Sequence, residues 1–169
     1  MRSFGEWPII LPADIVLCIV RHFTGFAMSP AQQTFISYGP PVSLDIARRV
    51  TAAAEAEARA NGWPMVIAVM DSAANLVVLH KMDHAQTGSV EIAQAKARST
   101  VRFKRPTHVF EEALAAGGLN LRLLATEGAC PLEGGLPLMH QGCLVGAIGV
   151  SGMQSTQDAQ VAAVGAEAL

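Results

Sequence analysis

From Leu44 onward, apolar side chains recur at Leu44, Ile46, Ala47, Val50, Ala54 and Ala58, the spacing of one face of a helix. Ser43 in front of them is a good N-cap, and Asn61-Gly62 behind them is a stop signal. The alanines of "TAAAEAEARA" predict a helix packed closely on a neighbour, because short side chains let backbones approach. The period then shifts. "MVIAVMD" (65–71) is a short apolar, β-branched run bounded by Pro64 and by the polar turn "DSAAN", and "LVVLHKM" (76–82) follows it. The two runs read as a β-hairpin whose first strand is buried on both faces.

A helix is predicted from about Ser89 to Phe103, broken by Pro106. Thr107 can cap a further helix, "HVFEEALAA", which stops at Gly117-Gly118. "LRLLAT" fits a strand or a helix. "LPLMH", the turn "QG" and "CLVGAIGVSG" read as a second hairpin with a long buried strand, and Asp158 opens a C-terminal helix. Helix, two strands, helices, two or three strands and a helix make an α+β arrangement. Its hairpins predict an antiparallel sheet between helices.

Composition narrows the function. The 169 residues suit one domain, with 51% apolar residues, 15% charged and a net charge of −2. So little charge points to apolar area covered in a homo-oligomer, and the slightly acidic balance argues against nucleic acid, whose phosphates need clustered Lys and Arg. Cys18, Cys130 and Cys143 form no CxxC pair, and reduced thiols in the cytoplasm are the simplest reading. "IILPADIVLCIV" is too short for a membrane span and makes a poor signal peptide. Residues 1–38 are therefore expected to be a peripheral extension, with Met28 an alternative start, and 39–169 the domain.

Phosphate and nucleophile motifs fail. The glycines of "GGLPLMHQGCLVGAIGVSG" (134–152) match neither GxxxxGK[ST] nor a GxGxxG that opens a helix. "GVSGM" lacks the spacing of a nucleophile elbow, and no zinc spacing occurs. What remains is a strand in which Gly146 and Gly149 let backbone, side chain or ligand come close.

Candidate chemistry gathers on the 89–103 helix. Lys96 shares a face with Ile92, Thr100 and Phe103, so it either snorkels outward or is held inward by an anionic partner. Arg98, Arg102, Lys104 and Arg105 form a basic stripe, which is a solvated face or a docking patch for carboxylates or phosphates. His84, His108 and His140 are separate candidates for a haem iron ligand.

These residues together resemble the GlcG/HbpS-like haem-binding family, which also supplies the C-terminal domain of PduO-type cobalamin proteins. The resemblance rests on "PVSLDIARRVTAAAEAEARANG", "VIAVMDSAANLVVLHKMDHA", "SVEIAQAKARSTVRFKRPT", "GGLPL" and "GCLVGAIGVSGMQSTQDAQVA", and covers about residues 40–166. It implies a profilin-like α-β-α layered domain with a five-stranded antiparallel sheet, commonly assembled into octamers. It carries over Asp83, Lys96, Thr107, Gly134, Gly135, Pro137, Gly149, Ser151, Gly152 and Asp158; His84 stands where the family usually shows glycine. The implied function is binding of haem, ahead of corrinoid, in a sensor or accessory role within a catabolic operon. On that reading the basic stripe, Arg102 included, receives propionates. The alternative is an enzyme acting on a small hydroxy or keto acid, with Asp83 and Lys96 in the pocket.

Overall fold

Ser43 accepts a hydrogen bond from the Ile46 N–H, and helix α1 (Leu44–Ala60) begins there, as its apolar spacing predicts. The computed structural model describes residues 35–169, within which Ile36–Leu169 form one unit. The expectations about residues 1–27, Cys18 and Met28 lie outside the described residues. After a two-residue strand β1 (Ser37–Tyr38) and α1, the chain forms the hairpin β2 (Val66–Asp71) and β3 (Leu76–Lys81). Helices α2 (Ser89–Phe103) and α3 (His108–Ala116) follow. The segment "GLNLRLLA" is a 3₁₀ helix (Gly118–Ala125), then come the hairpin β4 (Gly135–His140) and β5 (Cys143–Ser151) and helix α4 (Ser155–Glu167).

The strands form one five-stranded sheet with β5 at its centre. β2 pairs with residues 146–151 of β5, β4 with residues 143–149, and β1 with residues 143–144. A strand has two edges, so β4 must occupy one while β1 and β2 lie end to end along the other. β1 runs parallel to β5, whereas the remaining pairs are antiparallel. The sheet is thus mixed, correcting the expectation of a purely antiparallel one. Its reason is local: β1 approaches from the open end of the β5 edge that β2 leaves unpaired, and it needs no hairpin to do so.

Both faces are covered. Ala47, Val50, Ala54 and Ala58 of α1 and Val161 and Ala162 of α4 pack with Ile67, Val69, Ile148 and Val150 on one face. On the other, Ala93, Ala97 and Val101 of α2 meet Val66, Ala68, Met70 and Ala147. The alternation along β2 therefore feeds both layers, which is why the run is continuously apolar. Gly149 lets α2 settle directly on β5: a Cβ there would collide with the Ala93 carbonyl and stand 2.6 Å from the Ala97 nitrogen.

One irregularity changes which side chains face which layer. Leu138 pairs with Gly146 but Met139 pairs with Leu144, so Val145 is an extra residue in β5. This bulge turns Val145 onto the α1 face, where Ile148 and Val150 also lie.

Two helix starts differ from the sequence reading. α4 begins at Ser155, three residues before Asp158, because Gln154 and Gln157 form a reciprocal capping box. Thr107 stands at the N-cap of α3 in a helical backbone conformation, with its side chain making no cap bond; its hydroxyl is engaged elsewhere.

Candidate functional site

Lys96 is held inward. Its ammonium donates to Asp158 Oδ2 at 2.7 Å and to the Val150 carbonyl at 2.8 Å. The two side chains are 2% and 3% exposed, so water cannot screen the pair. The other Asp158 oxygen accepts the Met153 N–H. Burial pushes the Asp158 carboxyl above its ordinary value, while the Lys96 ammonium pulls in the opposite direction.

The Gly-Gly pair closes over this ion pair. Gly134 has φ +115°, and a Cβ there would stand 3.0 Å from Lys96 Nζ and 2.8 Å from Asp158 Cβ. At Gly135 a Cβ would be 2.7 Å from both Thr100 Oγ1 and Thr107 Cγ2. Thr107 binds Gly135 reciprocally: its Oγ1 accepts the Gly135 N–H at 2.9 Å, and its own N–H donates to the Gly135 carbonyl at 3.0 Å. Lys96, Thr107, Gly134, Gly135 and Asp158 are thereby brought together as a closed polar lock. It fastens the start of the edge strand β4 to α2, α3 and α4. Thr107→Val should leave the buried Gly135 N–H unpaired and cost about 1–3 kcal/mol, read as a lower urea midpoint at unchanged m-value.

Ser151 is also buried and donates to Ser89 Oγ at 3.2 Å. Cys130 is buried, with its N–H donating to Ser99 Oγ. Desolvation pushes the thiol up despite the nearby Lys96 charge, which leaves it a poor nucleophile.

Asp83 is not in this lock. It is exposed, makes no ion pair among the described residues, and shares one cleft with Glu55, Arg59, Lys81 and Met82. Its neighbour His84 has φ +66°, the left-handed region. Glycine suits that backbone, and histidine adopts it at a cost of about 1–2 kcal/mol. His84 lines a cleft of 320 Å³ with Trp63, Pro64, Met82, Asp83, Gly62 and Arg59. It has no hydrogen-bond partner among the described residues, whereas His80 binds Glu55 Oε2 at 2.7 Å. Trp63 and Arg59 escaped the sequence reading, since both fall at or beyond the end of α1, where helical spacing carries no signal.

The remaining candidates are dispersed. The basic stripe divides: Lys104 donates to the Ile36 carbonyl and lies over the Tyr38 ring, and Arg105 lies over Phe110. Arg98 and Arg102 remain along a 340 Å³ groove that the 127–130 loop completes. His108 is half-buried at the start of α3, and His140 is exposed at the β4–β5 turn. Three histidines in three places do not form a metal cluster, and no group of three or more His, Cys, Asp or Glu among the described residues could hold a metal ion. No helix among the described residues is long and apolar enough to cross a membrane.

Comparison with known proteins agrees with this architecture. Protein GlcG of Escherichia coli (strain K12) is 36% identical over 110 residues, spanning 65% of this chain and 81% of GlcG. Protein ORFY of Klebsiella pneumoniae superposes with a TM-score of 0.73 at 28% identity, covering 85% of this chain and 97% of that one. The crystal structure of a PduOC:haem complex superposes at 0.69 with 26% identity, covering 76% and 95%. The family model described as "Haem degrading protein HbpS-like" matches residues 42–167, which takes in every element from α1 to α4, and the chain belongs to that family.

Proposed function

We propose that this protein binds haem, which His84 would hold through its imidazole in the cleft walled by Trp63, Pro64 and Met82. The observation that carries the reading is the left-handed backbone of His84, φ +66°. An imidazole in a conformation better suited to glycine, exposed and without an intramolecular partner among the described residues, is free to ligate a group from outside the chain. Its surroundings fit a tetrapyrrole: the Trp63 ring and the Met82 and Pro64 side chains offer apolar contact, and the exposed Arg59 guanidinium, paired with Glu55, stands on the same cleft with donors to spare for a propionate. The family description and the haem-bound relative support the same ligand. Bound haem would supply a redox-active iron. The protein's own residues would hold it: His84 would offer its imidazole to the iron, Trp63 would exclude water and Arg59 would face a carboxylate. The enzyme alternative finds no comparable support, since the Lys96 ammonium is spent on Asp158 and shares no cleft with Asp83.

Hemin titration tests this. Wild type should give a saturable Soret band, and His84→Gly should lose or shift it while remaining as stable as wild type or more so, because glycine relieves the backbone. His108→Ala and His140→Ala should titrate like wild type. A wild-type Soret band in His84→Gly would overturn ligation by His84, and no saturable band in the wild type would overturn haem binding.

A further inference from the structure

A second cleft, of 270 Å³, lies at the opposite end of α1. Its apolar wall is formed by Val42, Ile46, Val145 and Leu169, and Arg49 and His140 stand with them. About thirteen residues of helix separate Ile46 from Arg59, roughly 20 Å at the rise of an α-helix, so this cleft is distinct from the His84 one.

Three features give it the character of a binding site. The bulge in β5 places Val145 there: in regular alternation that side chain would face α2, and the extra residue turns it into the wall. Its lining side chains carry charge of one sign. No aspartate or glutamate lines it, and Arg49 has no carboxylate, that of Leu169 included, within ion-pair distance among the described residues, although the adjacent Arg48 pairs with Asp45. His140 likewise has no hydrogen-bond partner among the described residues and can donate to an oxygen beside the guanidinium. Finally, the volume falls just below the roughly 300–1,000 Å³ typical of pockets for drug-sized ligands. It suits a molecule of about one ring.

We propose that this cleft binds a small apolar monocarboxylate, its hydrocarbon part against Val42, Ile46 and Val145 and its carboxylate on Arg49, with His140 as a second donor. A guanidinium at the edge of an apolar wall selects for such a ligand on both counts. The carboxylate gains charge-assisted hydrogen bonds that a neutral isostere lacks, and the apolar body gains burial that a hydrophilic acid lacks.

Benzoate and its neutral isostere benzamide are suitable probes, titrated calorimetrically into the full chain. Benzoate should bind saturably, benzamide at least about tenfold more weakly, and Arg49→Gln should weaken benzoate by about tenfold or more while leaving benzamide unchanged. Ile46→Trp should fill the cleft and abolish binding, with circular dichroism reporting that the helices persist. His84→Gly should bind benzoate like wild type, which separates this site from the haem reading. Absence of saturable benzoate binding, equal affinity for the two probes, or an unchanged constant in Arg49→Gln would each overturn the proposal.

Discussion

Lys96→Met should destabilise the fold by about 3–5 kcal/mol, because it leaves the Asp158 carboxylate buried without its countercharge. Two further bonds deepen the loss: the ammonium also satisfies the Val150 carbonyl, and Asp158 holds the Met153 N–H at the entry to α4. The expected pH dependence follows from the same charges. Burial already pushes the Asp158 carboxyl up, and Lys96 is the first group that opposes the rise. Without the lysine the folded protein binds a proton that the unfolded chain gives up. A folded value above the unfolded one means that stability falls as pH rises through it. The deficit of Lys96→Met relative to wild type should therefore be larger at pH 7.5 than at pH 5.5, as measured by urea denaturation at both. The double variant Lys96→Met/Asp158→Leu should recover part of the loss, since it removes both charges. A single variant within about 1 kcal/mol of wild type would show that the pair is not the lock its geometry describes.

Gly149→Ala should cost about 1–3 kcal/mol or more, although alanine is an ordinary strand residue. Nothing about the Gly149 backbone requires glycine, because its φ is not in the left-handed region. The cost arises on α2, whose Ala93 carbonyl and Ala97 nitrogen occupy the space a methyl group would take. Backbone cannot rotate away as a side chain can, so the helix has to lift from the sheet. Lifting it also disturbs the contacts of Ala97 and Val101 with Met70 and Ala147. Gly142→Ala is the useful contrast: its Cβ meets nothing within 4 Å, but its φ of +77° strains any side chain. Its penalty should stay confined to the β4–β5 turn, so amide hydrogen exchange in α2 should quicken in Gly149→Ala and not in Gly142→Ala.

The elements set by local chemistry are legible in the chain. The spacing of Ala47, Val50, Ala54 and Ala58 locates α1, and Pro64 and the "DSAAN" turn frame the first hairpin. Elements set by a distant partner are not. β1 is two residues long, too short for any periodicity, and exists because β5 offers it an unpaired edge. The Val145 bulge arises from the fit of β4 to β5 and leaves no mark in "CLVGAIGVSG". The polar site divides in the same way. Lys96 on an apolar stripe allows either snorkelling or an inward charge, its partner is 62 residues away, and sequence spacing cannot choose between Asp83 and Asp158. Thr107 precedes a helix and so looks like a cap, yet its hydroxyl goes to Gly135 across the fold. His84 was visible as a departure from glycine. Its left-handed backbone and the ring of Trp63 beside it are visible only in three dimensions.

The central place of β5 also has a consequence for biosynthesis. The strand that pairs with β1, β2 and β4 is the last of the sheet to leave the ribosome, and its residue 143 must find residue 37. Until it emerges, β2 and β3 are an isolated hairpin, which is marginal in water. The apolar strand β2 then waits, one edge open, while the more than seventy residues between it and β5 are made. Such late, long-range pairing slows folding and exposes the nascent chain to aggregation. Its demand for chaperone protection should therefore end abruptly, when residues 143–151 become available.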